Sequence, residues 1–216
     1  MRKNKKVLIG VCGGIAVYKV CDLIRELKKQ NFEVICIMTK EATKFITSDI
    51  LQYLSGNKVY IDLFDLPRTT ESHGSKAMDE CISKDPKGIP QSHTYKPGVR
   101  GLPNDLSPAH IYLSSWADIV VVIPATAHII AKLSHGLGDC LLSCTILATT
   151  APILICPAMH VNMYRNKIVQ ENIRRLKKKG FSFIGPKKGR LLNGKVASGH
   201  LEDTKVVISR IKDTIK

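Results

Sequence analysis

Short apolar runs alternate with segments of helical period along most of this chain. Lys6–Val11, Glu33–Met38 and residues 119–123, 153–156 and 181–184 are such runs, and the Ile-Val-Val-Val-Ile stretch at 119–123 has the pattern of a strand covered on both faces. Between the first two, residues 15–29 set Val20, Leu23, Ile24 and Leu27 at helical spacing and end in Lys-Lys-Gln, which makes a βαβ unit. Helical period returns at 41–55, 127–137, 139–149 and, with a basic face, 167–179. Residues 58–63 read as a short strand, and the tail from Asp203 closes the alternation. The sum predicts an α/β fold: a single-domain, doubly wound parallel sheet with helices on both faces.

One stretch breaks the rhythm. Residues 66–108 hold most of the ten prolines, mixed with Gly, Ser, Thr, His and charged residues, and are expected to form a mobile insert in the single domain 1–216. A chain of 216 residues that is 44% hydrophobic can fill one core and needs no second. Its apolar runs are too short to cross a bilayer, and Met1-Arg-Lys-Asn-Lys-Lys leads into a strand rather than a signal peptide. A soluble, cytoplasmic protein with no membrane partner is expected. Cys12, Cys21, Cys36, Cys140, Cys144 and Cys156 lie within apolar segments without zinc-ligand spacing, so they read as buried reduced thiols and no metal site is expected. The net charge is +15, and the Lys and Arg residues concentrate at 2–6 and 165–195 without the aromatic interleaving of a stacking surface. That favours solvated helix faces or a phosphorylated small molecule over nucleic acid.

Candidate chemistry collects at strand ends, where open parallel sheets bind ligands. Pro124-Ala-Thr-Ala-His-Ile follows the 119–123 run, Pro157-Ala-Met-His-Val-Asn-Met-Tyr164 follows 153–156, and Ala109-His-Ile-Tyr-Leu113 puts His110 ahead of the first of these. The first strand runs into Gly10-Val-Cys-Gly-Gly-Ile-Ala-Val-Tyr-Lys19, where Gly13 and Gly14 allow either close approach of an anion or a plain tight turn. Thr39-Lys40 ends the second strand; a hydroxyl and a cation suit a mononucleotide phosphate better than the ribose of a dinucleotide.

These residues carry a resemblance. Gly-Gly-Ile-Ala-x-Tyr-Lys, His-Ile-x-Leu at 110–113, Pro-Ala-Thr-Ala-x at 124 and Pro-Ala-Met-x-x-x-Met-Tyr at 157–164 resemble the homo-oligomeric flavin-containing cysteine decarboxylases, most of all the stand-alone phosphopantothenoylcysteine decarboxylases of coenzyme A biosynthesis. The resemblance implies a flavodoxin- or Rossmann-like fold and assembly as trimers or multiples of trimers. It implies FMN held near Gly13, Gly14 and Ile15, by Thr39 and Lys40, by Thr126, Ala127, His128 and Ile129, and by Ala158. It assigns a catalytic role to His110 and a substrate-covering loop to 186–201, with His160, Arg190, Leu192 and Leu201 toward a phosphorylated small-molecule substrate. The implied chemistry is oxidation of the substrate's Cys side chain to a thioaldehyde, whose C=S group accepts the electrons freed as carbon dioxide leaves.

The chain departs from the family's pattern at three positions. His128-Ile129 stands for the usual Asn-Thr, His160 for an Asn facing the substrate carboxylate, and Asn193 for the cysteine that protonates the enethiolate. An amide is no practical proton donor. Asn193 therefore opens a second reading, a peptidyl-cysteine decarboxylase releasing an oxidised enethiol. A third is a catalytically silent flavin-binding subunit that lends His110 to a neighbour. His200 is a substitute proton source, and Met159, Met163 and Tyr164 suit helix packing as well as substrate contact.

Overall fold

The apolar runs assemble into one parallel sheet. In the computed structural model, which describes residues 4–63, 108–190 and 196–215, the strands are β1 (Lys6–Val11), β2 (Glu33–Met38), β3 (Val59–Tyr60), β4 (Ile119–Ala125), β5 (Ile153–Pro157) and β6 (Ser182–Phe183). They stand in the order β3-β2-β1-β4-β5-β6, with every neighbouring pair parallel, which is the expected doubly wound α/β fold. The joining helices are α1 (Tyr18–Lys29), α2 (Ser48–Ser55), α3 (Ala109–Trp116), α4 (Ala127–His135), α5 (Leu141–Ala148), α6 (Val161–Arg165), α7 (Lys167–Lys178) and α8 (Thr204–Thr214).

Strand periodicity sorts the core onto two faces. Val7, Ile9 and Val11 pack with Val34, Cys36 and Met38 against Val20, Leu23, Ile24 and Leu27 of α1 and Val207 and Ile211 of α8. Leu8 and Ile37 turn the other way, onto Leu113 of α3, Ile130 and Leu133 of α4, Leu142 and Ile146 of α5, and Leu176 of α7. Gly10 has no side chain on that second face, and Leu142 takes up the space a Cβ would need. The helix that borders the site thus seats directly on the central strand.

Several elements differ from the periodicity. The 41–55 segment is a 3₁₀ turn at Ala42–Lys44 followed by α2, which begins after extended Thr47 and stops at Gly56 in the left-handed conformation. The strand expected at 58–63 is the two residues of β3. Pro124 and Pro157, which follow the apolar runs, extend β4 and β5, with Ala125 paired to Pro157. Residues 109–116, left unassigned from sequence, are α3. Part of the segment read as a covering loop is an antiparallel hairpin, β7 (Lys187–Arg190) with β8 (Val196–His200). The Met159 N–H donates to the Gly199 carbonyl at 3.1 Å and pins it to the turn after β5.

The insert expected at 66–108 lies, Pro108 apart, outside the described residues. No helix among the described residues is long and apolar enough to cross a membrane. Of the thiols, Cys12, Cys36 and Cys156 are buried, while Cys21, Cys140 and Cys144 are only partly so; all six are free.

Candidate functional site

A cleft of about 660 Å³ opens where β1, β2 and β4 end. Topology puts it there: the chain leaves β1 and β4 toward opposite sides, so the connections leave a crevice between them. Cys12 and Gly13 form one wall, Met38 to Glu41 a second, Thr126 to Ile129 a third and Asp139 to Leu142 a fourth, with Ile61, Leu63 and Met163 adding apolar surface. The volume suits a cofactor-sized ligand.

Two helices begin in this cleft. The Thr126 Oγ1 accepts from the Ile129 N–H at 3.3 Å and caps α4, while the N–H groups of Ala127 and His128 have no partner within the helix ladder. Cys140 caps α5 in a reciprocal arrangement in which its N–H donates to the Ser143 Oγ at 3.2 Å. Both helix ends bring partial positive charge to the cleft.

The residues expected at the cofactor divide into two groups. Gly13, Thr39, Lys40, Thr126, Ala127, His128 and Ile129 all line the cleft. Gly14, Ile15 and Ala158 follow β1 and β5 at the same edge but are not part of the cleft lining; the Ala158 N–H donates to the Ala125 carbonyl at 3.0 Å, which joins the two proline-led motifs. The two glycines serve different ends. A Cβ on Gly13 would lie 2.6 Å from the Glu41 Cβ and 2.9 Å from its carbonyl carbon, so this glycine lets two turns pack on each other. A Cβ on Gly14 would meet only the Pro124 Cγ, at 3.8 Å, so the space in front of it is open.

His110 is the second residue of α3, whose amino end points toward the carboxyl ends of the strands because the helix leads into β4. It is not part of the cleft lining, and its Nδ1 is buried with no hydrogen-bond partner among the described residues. Leaving such a group unmet costs about 1–3 kcal/mol, so the atom is poised for a partner. His160 caps α6, its Nδ1 accepting the Asn162 N–H at 3.2 Å; that bond places the proton of the neutral ring on Nε2. His200 lies on β8, where burial, then the Lys19 and Lys187 ammonium groups, hold its pKa below the usual imidazole range. A neutral imidazole at pH 7 is a poor stand-in for an acid. Leu201 is 1% exposed and packs into the core, while its carbonyl accepts from the Lys19 Nζ at 3.4 Å. Arg190 ends β7, and Leu192 and Asn193 lie outside the described residues.

Sequence reading missed the charged wall of the cleft. Lys132 donates to the Asp139 carboxylate at 2.8 Å and its side chain is only 17% exposed. The Asp139 bond holds the Lys132 pKa above the usual lysine value, and the same bond holds the Asp139 pKa down. Lys40 pairs with Asp62 at 3.8 Å. Glu41 accepts from its own backbone N–H and from the Thr39 hydroxyl, which keep its pKa below the usual carboxylate range. The signal was present for Lys132, which stands one helical turn beyond His128 on the same face of α4. For Glu41 there was none, because its contact with Gly13 crosses between two turns.

Known proteins resemble this chain over nearly its whole length. The Coenzyme A biosynthesis bifunctional protein CoaBC of Vibrio vulnificus is 37% identical over 198 residues, covering 92% of this chain and 40% of the relative, so the chain spans about two fifths of that protein. The Probable phosphopantothenoylcysteine decarboxylase of Streptococcus mutans is 35% identical over 214 residues and is covered to 99%, with 98% of this chain. Among solved structures, a PPC decarboxylase mutant complexed with pantothenoylaminoethenethiol matches with a TM-score of 0.69 and 25% identity over 97% of each chain. The FMN-dependent cysteine decarboxylase SpaF matches with a TM-score of 0.69 and 26% identity over 95% of this chain and 94% of its own. A family model described as Flavoprotein matches residues 1–216, and the chain belongs to that family.

Proposed function

We propose that this chain is an FMN-dependent carboxy-lyase that converts 4'-phosphopantothenoyl-L-cysteine to 4'-phosphopantetheine in coenzyme A biosynthesis. One observation carries the reading: Gly13, Thr39 with Lys40, and Thr126 to Ile129, from three separate segments, meet at a single cleft in the β1/β4 crevice. The names of the Streptococcus mutans relative and of the two solved structures support it.

The residues present fit the cofactor. Met38, Ile61, Leu63 and Leu141 offer apolar walls to a ring, the starts of α4 and α5 offer N–H groups to a phosphate, and the backbone at Gly14 is open to close approach. When bound, the flavin supplies the two-electron oxidation that turns the substrate's thiol-bearing carbon into an electron sink for decarboxylation. The protein's own groups bind, orient and move protons. His110 exchanges the thiol proton, and the unpartnered Nδ1 is the atom its surroundings leave for that task. His160, with its proton on Nε2, donates toward the substrate carboxylate. The segment 186–201, with Arg190, Leu192 and Leu201, serves as the substrate-covering part of a single-domain flavoprotein, and the β7–β8 hairpin is the described portion of it. The enzyme works in the cytoplasm as a homotrimer or a multiple of one, in which His110 completes a site shared between subunits.

Purified protein tests this directly through its visible spectrum and through carbon dioxide release from phosphopantothenoylcysteine. A yellow, flavin-loaded protein that releases none would reject the proposal. Asn193 favours a second course, in which the intermediate leaves as an enethiol; a product two hydrogens lighter than the reduced thiol identifies it.

A further inference from the structure

The charges in the cleft do not suit a phosphate as well as its shape does. Lys40 and Lys132 line it together with Glu41, Asp62 and Asp139, so carboxylates outnumber ammonium groups. Both lysines are already engaged, Lys40 with Asp62 at 3.8 Å and Lys132 with Asp139 at 2.8 Å. Glu41 is in none of the ion pairs of the described residues, and Lys132 and His128 act on it only through space. Its backbone packs against Gly13, and its exposed carboxylate belongs to the wall that Thr39 and Lys40 also line. A carboxylate facing a dianion is repulsive, and the repulsion strengthens once a ligand displaces water from between them.

We propose that Glu41 is a specificity-determining residue of the cleft: its carboxylate opposes the phosphate of a phosphorylated flavin and sets how strongly FMN is preferred over riboflavin. The inference rests on the cofactor reading above. The helix ends of α4 and α5 supply the attraction, and Glu41 limits it. FMN is therefore held with an affinity that one neutral substitution raises, while an uncharged flavin does not sense that charge.

The experiment measures flavin affinity by fluorescence quenching of FMN and of riboflavin, on the flavin-stripped full chain, for wild type, Glu41→Gln, Asp62→Asn and Glu26→Gln. Gln keeps the length and shape of Glu and the residue is exposed, so Glu41→Gln should retain the fold; a thermal melt checks this. Glu41→Gln is expected to tighten FMN roughly fivefold and leave riboflavin unchanged, the size of one partly exposed charge interaction. Asp62→Asn frees Lys40 and should move FMN the same way, which keeps the test alive should Glu41→Gln misfold. Glu26→Gln removes the same charge from the exposed Lys29 pair on α1 and should change neither. The proposal is overturned if Glu41→Gln leaves FMN unchanged or weakens it, if riboflavin tightens equally, or if Glu26→Gln has the same effect. A wild type that binds neither flavin overturns the cofactor reading along with it; a wild type that binds FMN with no response at residue 41 overturns this inference alone.

Discussion

Alanine substitutions at Gly13 and Gly14 should separate the fold from the site, although the two residues are adjacent. At Gly13 the new Cβ would stand 2.6 Å from the Glu41 Cβ, 2.9 Å from its carbonyl carbon and 3.0 Å from its oxygen. Ordinary carbon contacts lie at about 3.5–4.0 Å, so the two turns must part by roughly 1 Å, and the obstacle is backbone that no rotamer change can remove. Overpacking of this kind costs about 1–3 kcal/mol, offset in part by the 0.4–1 kcal/mol that Ala gains over Gly in the unfolded chain. At Gly14 the backbone is extended (φ −170°, ψ 150°) and the nearest atom is 3.8 Å away, so Ala adds no clash. Only the entropic gain of about 0.4–1 kcal/mol remains. Urea unfolding of the flavin-stripped protein at one fixed concentration should place Gly13→Ala roughly 0.5–1 M below wild type and Gly14→Ala level with it or above. FMN titration should show the reverse emphasis, with Gly14→Ala weakening the cofactor because its methyl group enters the space left for close approach. Equal losses of stability in the two variants, or wild-type FMN affinity in Gly14→Ala, would refute the division.

Three further outcomes follow from the same geometry. His160→Ala should lose about 1 kcal/mol through the missing cap on α6, while His160→Asn, whose Oδ1 can accept the same N–H, should stay within about 0.5 kcal/mol; chemical denaturation compares them. The Lys132–Asp139 pair lowers the Asp139 pKa and raises that of Lys132, so its stabilisation is present above about pH 4 and below about pH 10, the ordinary values of the two groups. It is lost as pH falls through the depressed Asp139 value or rises through the elevated Lys132 value. The melting difference between wild type and Asp139→Asn should accordingly hold steady near neutrality and shrink in acid. Burial pushes the Cys12 and Cys36 thiols up to about 12 and the Cys156 thiol higher still. Iodoacetamide at pH 8 should leave all three unmodified in the native protein, as peptide mass mapping reads directly, and label them in urea.

The sheet was legible because its strands are covered on both faces and therefore read as unbroken apolar runs. Helices α1, α4 and α7 showed through their period for the complementary reason, that one face stays wet, whereas α5 is apolar nearly all round. What escaped lacks that contrast. Helix α3 is short and carries Ile111 outward at 38% exposure while Leu113 turns in, so its apolar residues mark no single face. The β7–β8 hairpin is Lys-Lys-Gly-Arg against Val-Ala-Ser-Gly-His, with little alternation to detect. The site was half visible for a similar reason. Strand ends and glycines mark where a ligand goes in an open sheet, whereas the Gly13–Glu41 contact, the Lys132–Asp139 pair and the buried Nδ1 of His110 depend on how separate segments pack.

That division also explains how the chain carries its unusual residues without cost to the fold. His160 stands at a helix cap, and its Nδ1 takes the acceptor's part that an Asn oxygen also could, so α6 starts there. His128 is exposed at the second position of α4, where Thr126 already provides the cap, so residue 128 has no structural duty to fail. Both positions carry an imidazole, and both fall at or beside the ligand edge. Their effect is therefore confined to charge and hydrogen bonding toward whatever binds there. A double substitution of His128 and His160 by Asn should leave the urea midpoint within the scatter of ordinary surface changes, about 0.5 kcal/mol in stability. It should also change substrate affinity at a fixed pH, because His128 lines the cleft and His160 caps the helix beside it. An unchanged substrate affinity in that variant would mean that neither ring meets the substrate.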